Sequence, residues 1–351
     1  MSTDPGDNVP ANGRTGRVTL EQVAEAAGVS RSAASLAVRG LPGVADSTRR
    51  RIATIADRLG YEVRRTSPSS DTRSIAVLVK SRPDDNGATN AFYGPVSAGI
   101  LSACAPQQID VRTEPLPVDQ DSNPMSVPRV IQSSAADGFL VLGAYVSSAT
   151  ARLFEGRPVV LVDGYCEGEA TIPSVVTDNE GGGHQAARRL IDQGHRHTAF
   201  VGSTPDSFPS ILQRRQGYDR AISDAGLAPL HFDAPYEDPP LAAEAIAEQL
   251  SSNPQVTGLV ASNDAVAINL MSHLADLGIS VPDDVSIVGF DDIDAASMVR
   301  PRLDTVAVDK LAMGELSVSL LLHRMEHLHA PPFTATQATR LVERGSVSNV
   351  E

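Results

Sequence analysis

The sequence predicts two kinds of structure in one chain: an all-α three-helix headpiece that contains a helix-turn-helix, and an α/β body of two similar lobes. Three observations support this. The stretch 18–40 packs two short helical patterns around one glycine. From residue 75 onward, short apolar runs alternate with helical patterns. The 351 residues exceed the size of one ordinary core, so two or three domains are expected.

Caps and apolar spacing predict the headpiece helices. Thr19 and Gln22 have the spacing of a capping box, in which the two side chains satisfy backbone N–H groups of the first turn. Apolar residues then follow one helical face until Gly28, which ends the helix in a left-handed conformation. Ser30 caps a second helix so soon afterwards that the two must cross steeply, as in a helix-turn-helix. A third helix, capped by Ser47, closes the core.

Charge is unevenly distributed along the chain. The net charge is −14, but residues 14–73 contain eleven arginines, no lysine and six acidic residues, a net charge of +5. The remainder therefore carries −19. A basic module on an acidic body indicates a polyanionic partner for that module alone. On charge alone, a solvated arginine-rich face remains an equal alternative.

The polar start of the second helix is the candidate for reading DNA bases, because this end of a helix-turn-helix enters the major groove. Arg31 and Ser32 are expected at base edges, and arginine can bind guanine with two hydrogen bonds. Phosphate contacts, which position without specifying sequence, are expected from Arg39, Arg49, Arg50 and Arg51.

The body has the pattern of parallel sheets covered on both faces, because its apolar runs do not alternate with polar residues. Strands are predicted at 75–79, 139–143, 159–163, 198–202, 257–262 and 286–290. Helices are predicted near 180–193, 212–225, 241–251 and 264–277. The strands form two sets, before and after Val176, which indicates two lobes with a ligand cleft at the carboxyl ends of the strands.

Several function classes find no support in the sequence. No apolar run is long enough for a membrane span, and residues 1–17 lack the apolar core of a secretory signal and are expected to be a disordered tail. No catalytic motif or cofactor loop occurs, so neither an enzyme nor a cofactor is expected. Cys104 and Cys166 form no metal or disulfide pattern, and a reducing cytoplasm is expected by default. His323 and His327 have metal-compatible spacing, but an exposed helical face is favoured.

The headpiece resembles that of the lac repressor family. The resemblance lies in "VTLEQVAEAAGVSRSAAS" and "LPGVADSTRRRIATIADRLGY". Leu36 stands where the family usually has a base-contacting arginine, and Arg39 where it usually has asparagine. The linker "EVRRTSPSSDTRS" lacks the family's Ala-Arg-x-Leu, and Pro68 disfavours a hinge helix. With the residues above, the expected DNA-contacting set is Thr19, Ser30, Arg31, Ser32, Ser35, Leu36, Arg39, Arg49, Arg50, Arg64 and Arg65, and Arg73 is a further candidate in the linker.

The body is similar to the family's effector domain, which has the fold of periplasmic sugar-binding proteins. The similarity lies in "TDNEGGGHQAARRLIDQGHRHTAFVG", "RRQGYDRAISDAGL" and, most specifically, "GISVPDDVSIVGFDD". It implies effector contacts from Phe92, Tyr93, Asp163, Arg214, Asn263, Asp264 and Asp291. The alternatives are that Asp264 and Asp291 cap the helices after them, and that Arg214 forms an interlobe salt bridge. "EGGGH" at 180–184 is expected to permit close helix packing, and "GHRH" at 194–197 to be structural.

The resemblance implies a fold class and a domain plan. The fold class is an all-α three-helix helix-turn-helix headpiece plus an α/β two-lobed periplasmic-binding-protein-like effector domain. The plan is a tail (1–16), the headpiece (17–62), a linker (63–73) and the body (74–351). Lobe 1 is expected at about 74–176 and 303–335, and lobe 2 at about 177–302 and 336–351, with three crossings between them.

The implied function is transcriptional control, most simply repression, by a cytoplasmic homodimer or tetramer. The headpieces bind near-palindromic double-stranded operator DNA, and a small molecule, expected to be a sugar, binds between the lobes. Two alternatives remain: a solute receptor with no DNA role, and a regulator that a nucleoside or purine co-represses.

Overall fold

The computed structural model describes residues 18–38, 44–59, 73–81, 88–119, 124–133, 135–154, 156–168 and 172–350. The chain forms two compact units, Met1–Ser70 and Asp71–Glu351, here called the headpiece and the body. The predicted contacts at Arg39, Arg64 and Arg65, and the linker around Pro68, lie outside the described residues.

The headpiece consists of three helices: α1 (Leu20–Ala26), α2 (Arg31–Val38) and α3 (Asp46–Leu59). Their shared core contains Val23 and Ile52, both fully buried. Alanines complete it, and their small side chains allow the helices to cross closely. Gly28 has a φ of +61°, so it takes the left-handed conformation that its position after α1 predicts.

Lobe 1 is built on a six-stranded sheet. The strands predicted from continuous apolar runs in the sequence lie at the centre of this sheet. The strand order is β13-β7-β5-β3-β1-β2. The strands are β1 (Ser74–Ser81), β2 (Asp110–Pro117), β3 (Gly138–Leu142), β5 (Val159–Val162), β7 (Ser174–Thr177) and β13 (Thr334–Gln337). A short pair, β4 (Tyr145–Val146) and β6 (Tyr165–Cys166), lies beside it. The lobe's helices are α4 (Ala88–Cys104), α5 (Arg129–Gln132), α6 (Ser148–Ala151) and α12 (Lys310–Glu326), and single 3₁₀ turns cover Ala105–Gln107 and Arg152–Phe154.

Lobe 2 repeats this architecture with a second six-stranded sheet. The strand order is β14-β12-β11-β10-β8-β9. The strands are β8 (Thr198–Ser203), β9 (His231–Asp233), β10 (Gly258–Ala261), β11 (Ser286–Asp291), β12 (Asp304–Ala307) and β14 (Arg340–Val342). Its helices are α7 (Asn179–Asp192), α8 (Pro209–Asp224), α9 (Pro239–Ser251), α10 (Asp264–Asp276) and α11 (Asp294–Met298).

The second crossing between the lobes falls later in the chain than the sequence predicts. Residues 303–335 were expected in lobe 1, but β12 pairs with β11 in the sheet of lobe 2. Buried polar contacts hold β12 there. Asp304 accepts hydrogen bonds from Arg189 Nε (3.0 Å) and from the backbone N–H of Arg344 (2.9 Å), and Thr305 Oγ1 donates to Asp264 (2.6 Å). The chain therefore crosses between Ala307 and Lys310, and β13 remains in lobe 1 as far as Gln337.

Glycines bring α7 and α8 into backbone contact, as the sequence "EGGGH" predicts. A Cβ atom at Gly183 would lie 2.0 Å from the carbonyl oxygen of Arg214, and one at Gly217 would lie 2.0 Å from that of Glu180. Both distances are shorter than any real contact, so only glycine permits this packing. The close approach sets the position of Arg214 relative to the start of α7.

Candidate ligand-binding cleft and DNA-binding surface

The first headpiece helix has the predicted capping box. The Gln22 backbone N–H donates to Thr19 Oγ1 (3.4 Å), and the Thr19 backbone N–H donates to Gln22 Oε1 (2.8 Å). Both residues are exposed. Thr19 therefore begins α1 and remains available for a phosphate contact, which stays a prediction.

The second helix presents polar groups at its start. Ser30 accepts a hydrogen bond from the Ala33 backbone N–H (3.1 Å), so it caps α2. Arg31 and Ser32 are exposed, whereas Ser35 and Leu36 are half-buried. The residues predicted to contact bases therefore lie at an accessible helix start.

The arginines of α3 differ in exposure. Arg50 and Arg51 are exposed. Arg49 is half-buried, and its Nη2 lies 3.5 Å from the Val44 carbonyl oxygen, within the headpiece. Arg50 is therefore the better candidate for a phosphate contact.

Arg214 is a buried residue of lobe 2 that adjoins Gln213 and is bonded to Asn179, two residues that line a cavity between the lobes. It lies on α8, where the sequence predicts a helix, and is only 4% exposed. Its Nε donates to Asn179 Oδ1 (2.9 Å) and its Nη1 to the Ser262 carbonyl (2.8 Å). The guanidinium carbon lies 3.8 Å from the centre of the Phe290 ring. These contacts fix the plane of the guanidinium group.

Asp291 forms an ion pair with Arg214, as both residues border the cleft. Arg214 Nη2 and Asp291 Oδ1 are 3.0 Å apart, and both side chains are largely buried. Asp291 has a φ of 105° and Asp292 a φ of 51°, so two consecutive non-glycine residues lie in left-handed conformations. Such conformations cost free energy and cluster at functional sites. The pair joins two elements of lobe 2, so it is not an interlobe salt bridge.

Lobe 1 contributes Asp163 and Tyr93 from across the cleft. Tyr93 Oη donates to Asp163 Oδ2 (2.8 Å), while Asp163 Oδ1 is buried and has no hydrogen-bond partner among the described residues. Gly143 permits this contact, because a Cβ there would lie 2.3 Å from Tyr93 Oη. A buried carboxylate oxygen with no partner is an acceptor suited to a ligand hydroxyl.

Burial governs the titration of these groups. It raises the pKa of Asp163 to about 6, although Arg214 and the Tyr93 hydroxyl oppose the shift. Burial also raises the pKa of Asp291, against the opposing effect of Arg214 and Lys310. The pKa of Tyr93 is raised well above 10 by burial and by the nearby Asp163, so Tyr93 remains a hydrogen-bond donor at neutral pH.

The structure does not bring every predicted effector residue to the cleft. Asp264 is fully buried, and its oxygens accept hydrogen bonds from Thr305 Oγ1 (2.6 Å) and the Ile293 backbone N–H (2.9 Å), so it cannot contact an effector. Phe92 is 8% exposed and packs in a hydrophobic cluster that contains residues of both lobes, so its contact with an effector stays a prediction. Asn263 is half-buried and caps α10 by accepting from the Val266 backbone N–H (2.9 Å).

Residues that the sequence did not single out complete the cleft. Tyr165 of lobe 1 donates to Gln213 Oε1 of lobe 2 (3.1 Å) and accepts from Asn179 Nδ2 (3.1 Å). The Lys80 ammonium lies 4.8 Å from the centre of the Phe208 ring, again across the lobes. Lys80 is the penultimate residue of β1, and Tyr165 follows Asp163 by two residues. Position near the end of a strand was the available signal for both.

Two further properties bear on the kind of protein. In the part of the chain that the structure describes, no three His, Cys, Asp or Glu side chains form a group that could hold a metal ion. No helix in the described ranges is long and apolar enough to cross a membrane.

Comparison with protein families matches both units. Residues 19–63 match the model described as "Bacterial regulatory proteins, lacI family", and residues 187–347 match "Periplasmic binding protein-like domain".

Similar proteins match along most of the chain. Catabolite control protein A of Priestia megaterium and the ribose operon repressor of Haemophilus influenzae are each 28% identical, and each alignment covers 88% of this chain and 92% of the relative. A solved transcriptional regulator CelR–cellobiose complex is 26% identical with a TM-score of 0.64, covering 94% of this chain and all of that one.

A helix-turn-helix headpiece joined to a two-lobed ligand-binding fold defines a DNA-binding regulator controlled by a small molecule. The headpiece has the DNA-binding domain of the lacI family of bacterial regulatory proteins, and the chain is similar to regulators of that family along most of its length. It is a transcriptional regulator and not an enzyme.

Proposed function

We propose that this chain represses transcription as a homodimer on operator DNA and that a saccharide bound between the lobes controls its operator affinity. The observation that carries the ligand class is the set of Arg214, Asp291 and Asp163. It combines a donor group paired with one carboxylate, Arg214 with Asp291 (3.0 Å), and a second carboxylate oxygen, Asp163 Oδ1, that has no hydrogen-bond partner among the described residues. A sugar hydroxyl both donates and accepts, so adjacent hydroxyls match this array.

Relatives support the same ligand class. One 28% identical relative is named a ribose operon repressor, and the CelR structure contains cellobiose. Ligand binding that changes the angle between the lobes would reorient two headpieces, and so link the cleft to the operator. A regulator of operator DNA acts in the cytoplasm, where we propose that this chain works.

The dimer is supported by apolar side chains that remain exposed on helices of both lobes. Leu101 of α4 is 54% exposed, and Leu277, just after α10, is 56% exposed. Leu311 and Leu316 of α12, which packs directly against α4, are also exposed (51% and 40%), and apolar side chains gathered on adjacent helices are typical of surfaces that a partner covers. Sedimentation of the full chain, with and without operator, tests this; a monomer on a single half-site would contradict it.

Calorimetry on the full chain tests the ligand class. The panel contains pentoses, hexoses and disaccharides, with purine bases and nucleosides as the competing class. We expect a saccharide to bind the natural chain, and both Arg214→Ala and Asp291→Ala to weaken binding by about 5- to 150-fold or more, because each leaves buried ligand hydroxyls unpaired at a cost of about 1–3 kcal/mol or more.

The control for this experiment is Arg196→Ala, which removes an exposed arginine of lobe 2. It should bind the saccharide normally. If purines bind and no saccharide does, the proposed ligand class is wrong, while the assignment as a ligand-controlled regulator stands. Normal saccharide affinity in both cleft variants would remove these residues from the site.

A further inference from the structure

Both lysines of the chain border the cleft. Of 29 basic residues only Lys80 and Lys310 are lysines, and all others are arginines. Lys310 is the first residue of α12, at the second crossing between the lobes. Its ammonium lies 5.9 Å from the centre of the Phe92 ring in lobe 1. A compact ammonium thus stands at a position where the lobes meet.

The Lys310 ammonium contacts backbone carbonyls of lobe 2. It donates to the Asp291 carbonyl, to the Asp292 carbonyl (3.0 Å) and to the Val308 carbonyl (3.4 Å). An ammonium group has three donors in a tetrahedral arrangement, so it can serve three converging carbonyls. A planar guanidinium cannot converge on them in the same way. The contact therefore has a chemical reason to use lysine in a chain that otherwise uses arginine.

The two aspartates that Lys310 contacts form the left-handed corner at the end of β11. Arg214 holds the side chain of Asp291 (3.0 Å), and Arg344 holds that of Asp292 (2.5 Å). Both arginines belong to lobe 2. Among the described contacts of this corner, Lys310 provides the one ionic group from lobe 1. Its hold on the backbone therefore depends on the relative position of the lobes.

We propose that Lys310 is a positioning residue that holds the Asp291–Asp292 corner from lobe 1. The Asp291 carboxylate is then correctly placed to bind ligand only when the two lobes have the relative position seen in this structure. The proposal rests on the proposed function, since it gives a reason why ligand binding and lobe position are linked. Ligand bound at Asp291 favours the arrangement in which Lys310 reaches the corner. Removing the Lys310 ammonium therefore uncouples ligand binding from the relative position of the lobes.

Hydrogen exchange on the ligand-free full chain provides the first test. In Lys310→Met, backbone amides of residues 291–296 should exchange at least several times faster than in the natural chain, because the strained corner loses its restraint. Lys310→Arg keeps the charge and should show a smaller increase in the exchange rate of the same amides. This variant replaces Lys310→Met in the test if the methionine variant does not fold. Arg188→Met, an exposed ion-pair residue on α7, is the control and should leave this segment unchanged. Unchanged exchange in both Lys310 variants would overturn the proposal.

A double-mutant cycle with the saccharide found by calorimetry provides the second test. Lys310→Met should weaken ligand binding about tenfold in the natural background and have no further effect in an Asp291→Asn background, because it acts through that carboxylate. An equal loss in both backgrounds would overturn the proposal. If no saccharide binds the natural chain, the proposed function fails, while the exchange experiment still decides whether Lys310 positions the corner.

Discussion

Asp163 is the residue whose protonation should be visible in ligand binding. Its pKa of about 6 in the free protein means that the carboxylate is present at pH 7 and largely lost at pH 5. A ligand hydroxyl donates to the charged form, so affinity should fall as the pH falls through 6, by up to about tenfold per pH unit. Calorimetry at pH 5, 6, 7 and 8 measures this.

The control for the pH prediction is Asp163→Asn. It has no proton to gain in this range, so its weaker affinity should vary less with pH between 5 and 8 than that of the natural chain, and any remaining change belongs to Asp291. A natural chain with constant affinity over the same range would show that Asp163 does not accept a hydrogen bond from the ligand.

Arg31 and Arg50 should affect operator binding in different ways. Arg31→Ala should relax preference at one base position, at a cost of about 1–3 kcal/mol there, because a base contact is lost. Arg50→Ala should lower the affinity for all DNA sequences alike, because a contact to the DNA backbone is lost. It should also reduce the slope of log affinity against log salt concentration by about one, the contribution of one phosphate contact. Fluorescence anisotropy on an operator and its point variants at several salt concentrations separates the two. A uniform loss from Arg31→Ala would assign Arg31 to phosphate.

Sequence position identified polar residues near strand ends but not the direction in which they point. Asp163 and Asp291 end or follow strands, and both border the cleft. Asp264 has a similar place after β10, yet its side chain turns inward to Thr305 and the Ile293 backbone. Asn179 escaped notice because it lies at a helix start, and only the fold brings Arg214 to it. One-dimensional spacing does not encode such contacts, since their partners lie 29 to 41 residues away.

The contact between α7 and α8 is the element on which the position of Arg214 depends. Gly183→Ala places a methyl group against the Arg214 carbonyl, so the helices must separate. Overpacking of this kind costs about 1–3 kcal/mol. We expect lower stability in urea denaturation together with weaker ligand binding, because the guanidinium moves with α8.

Arg188→Ala on the exposed face of the same helix is the control for Gly183→Ala. It should change stability by no more than about 0.5 kcal/mol and leave ligand binding intact. Ligand affinity that is unaltered in Gly183→Ala would show that the cleft tolerates a shift of α8.

Strands with clear apolar runs were predictable, whereas the short interior strands β7 and β12 and several peripheral elements were not. The six predicted strands are present because continuous apolar runs are a sufficient signal for strands buried on both faces. β2 was missed, because it is an exposed edge strand with Pro115 and Pro117. β13 has a single apolar residue and β14 is only three residues long, so neither has a run that predicts a strand. The helix α4 contains Pro95, which sequence rules treat as an interruption.

The stability of the whole molecule should depend on two buried groups that act in opposite directions. Burial raises the pKa of Asp264 to about 8, so the folded state retains a proton that the unfolded chain loses near pH 4. Asp264 therefore destabilises the fold progressively as the pH rises from about 4 to about 8. Burial lowers the pKa of His195, so its contribution is present above about pH 6.5 and is lost as the pH falls below it.

Asp264→Asn isolates the first of these effects. An amide can donate to the Thr305 hydroxyl and accept from the Ile293 N–H, so we expect a folded variant whose stability falls less steeply between pH 5 and 8, with Asp163 and Asp291 accounting for the remainder. Asp276→Asn, an exposed residue at the end of the same helix, should retain the natural pH dependence. Urea denaturation at each pH measures both. An unchanged slope in Asp264→Asn would assign the whole pH dependence to other groups.

The linker predicts the shape of the operator complex. Pro68 and the missing leucine disfavour a hinge helix that wedges into the minor groove, so the operator should be bent less than family members with that helix bend theirs. A circular-permutation mobility assay measures the bend. Restoring Ala-Arg-x-Leu in the linker should increase it, and a sharp central kink in the natural complex would contradict the prediction.

The three crossings between the lobes have a consequence for protein synthesis. Lobe 2 is closed by β14 and by the segment after it, where Ser346 donates to the Ile287 carbonyl (2.6 Å) and the Val350 N–H donates to the Gln193 carbonyl (2.9 Å). These residues emerge from the ribosome after the rest of the body, whereas the headpiece, whose described core residues lie between Val18 and Leu59, emerges before the body. A nascent chain can thus have a folded headpiece while lobe 2 of its ligand-binding body is still incomplete. During translation, DNA binding should precede control by ligand. A chain stalled near residue 335 should bind DNA without responding to ligand.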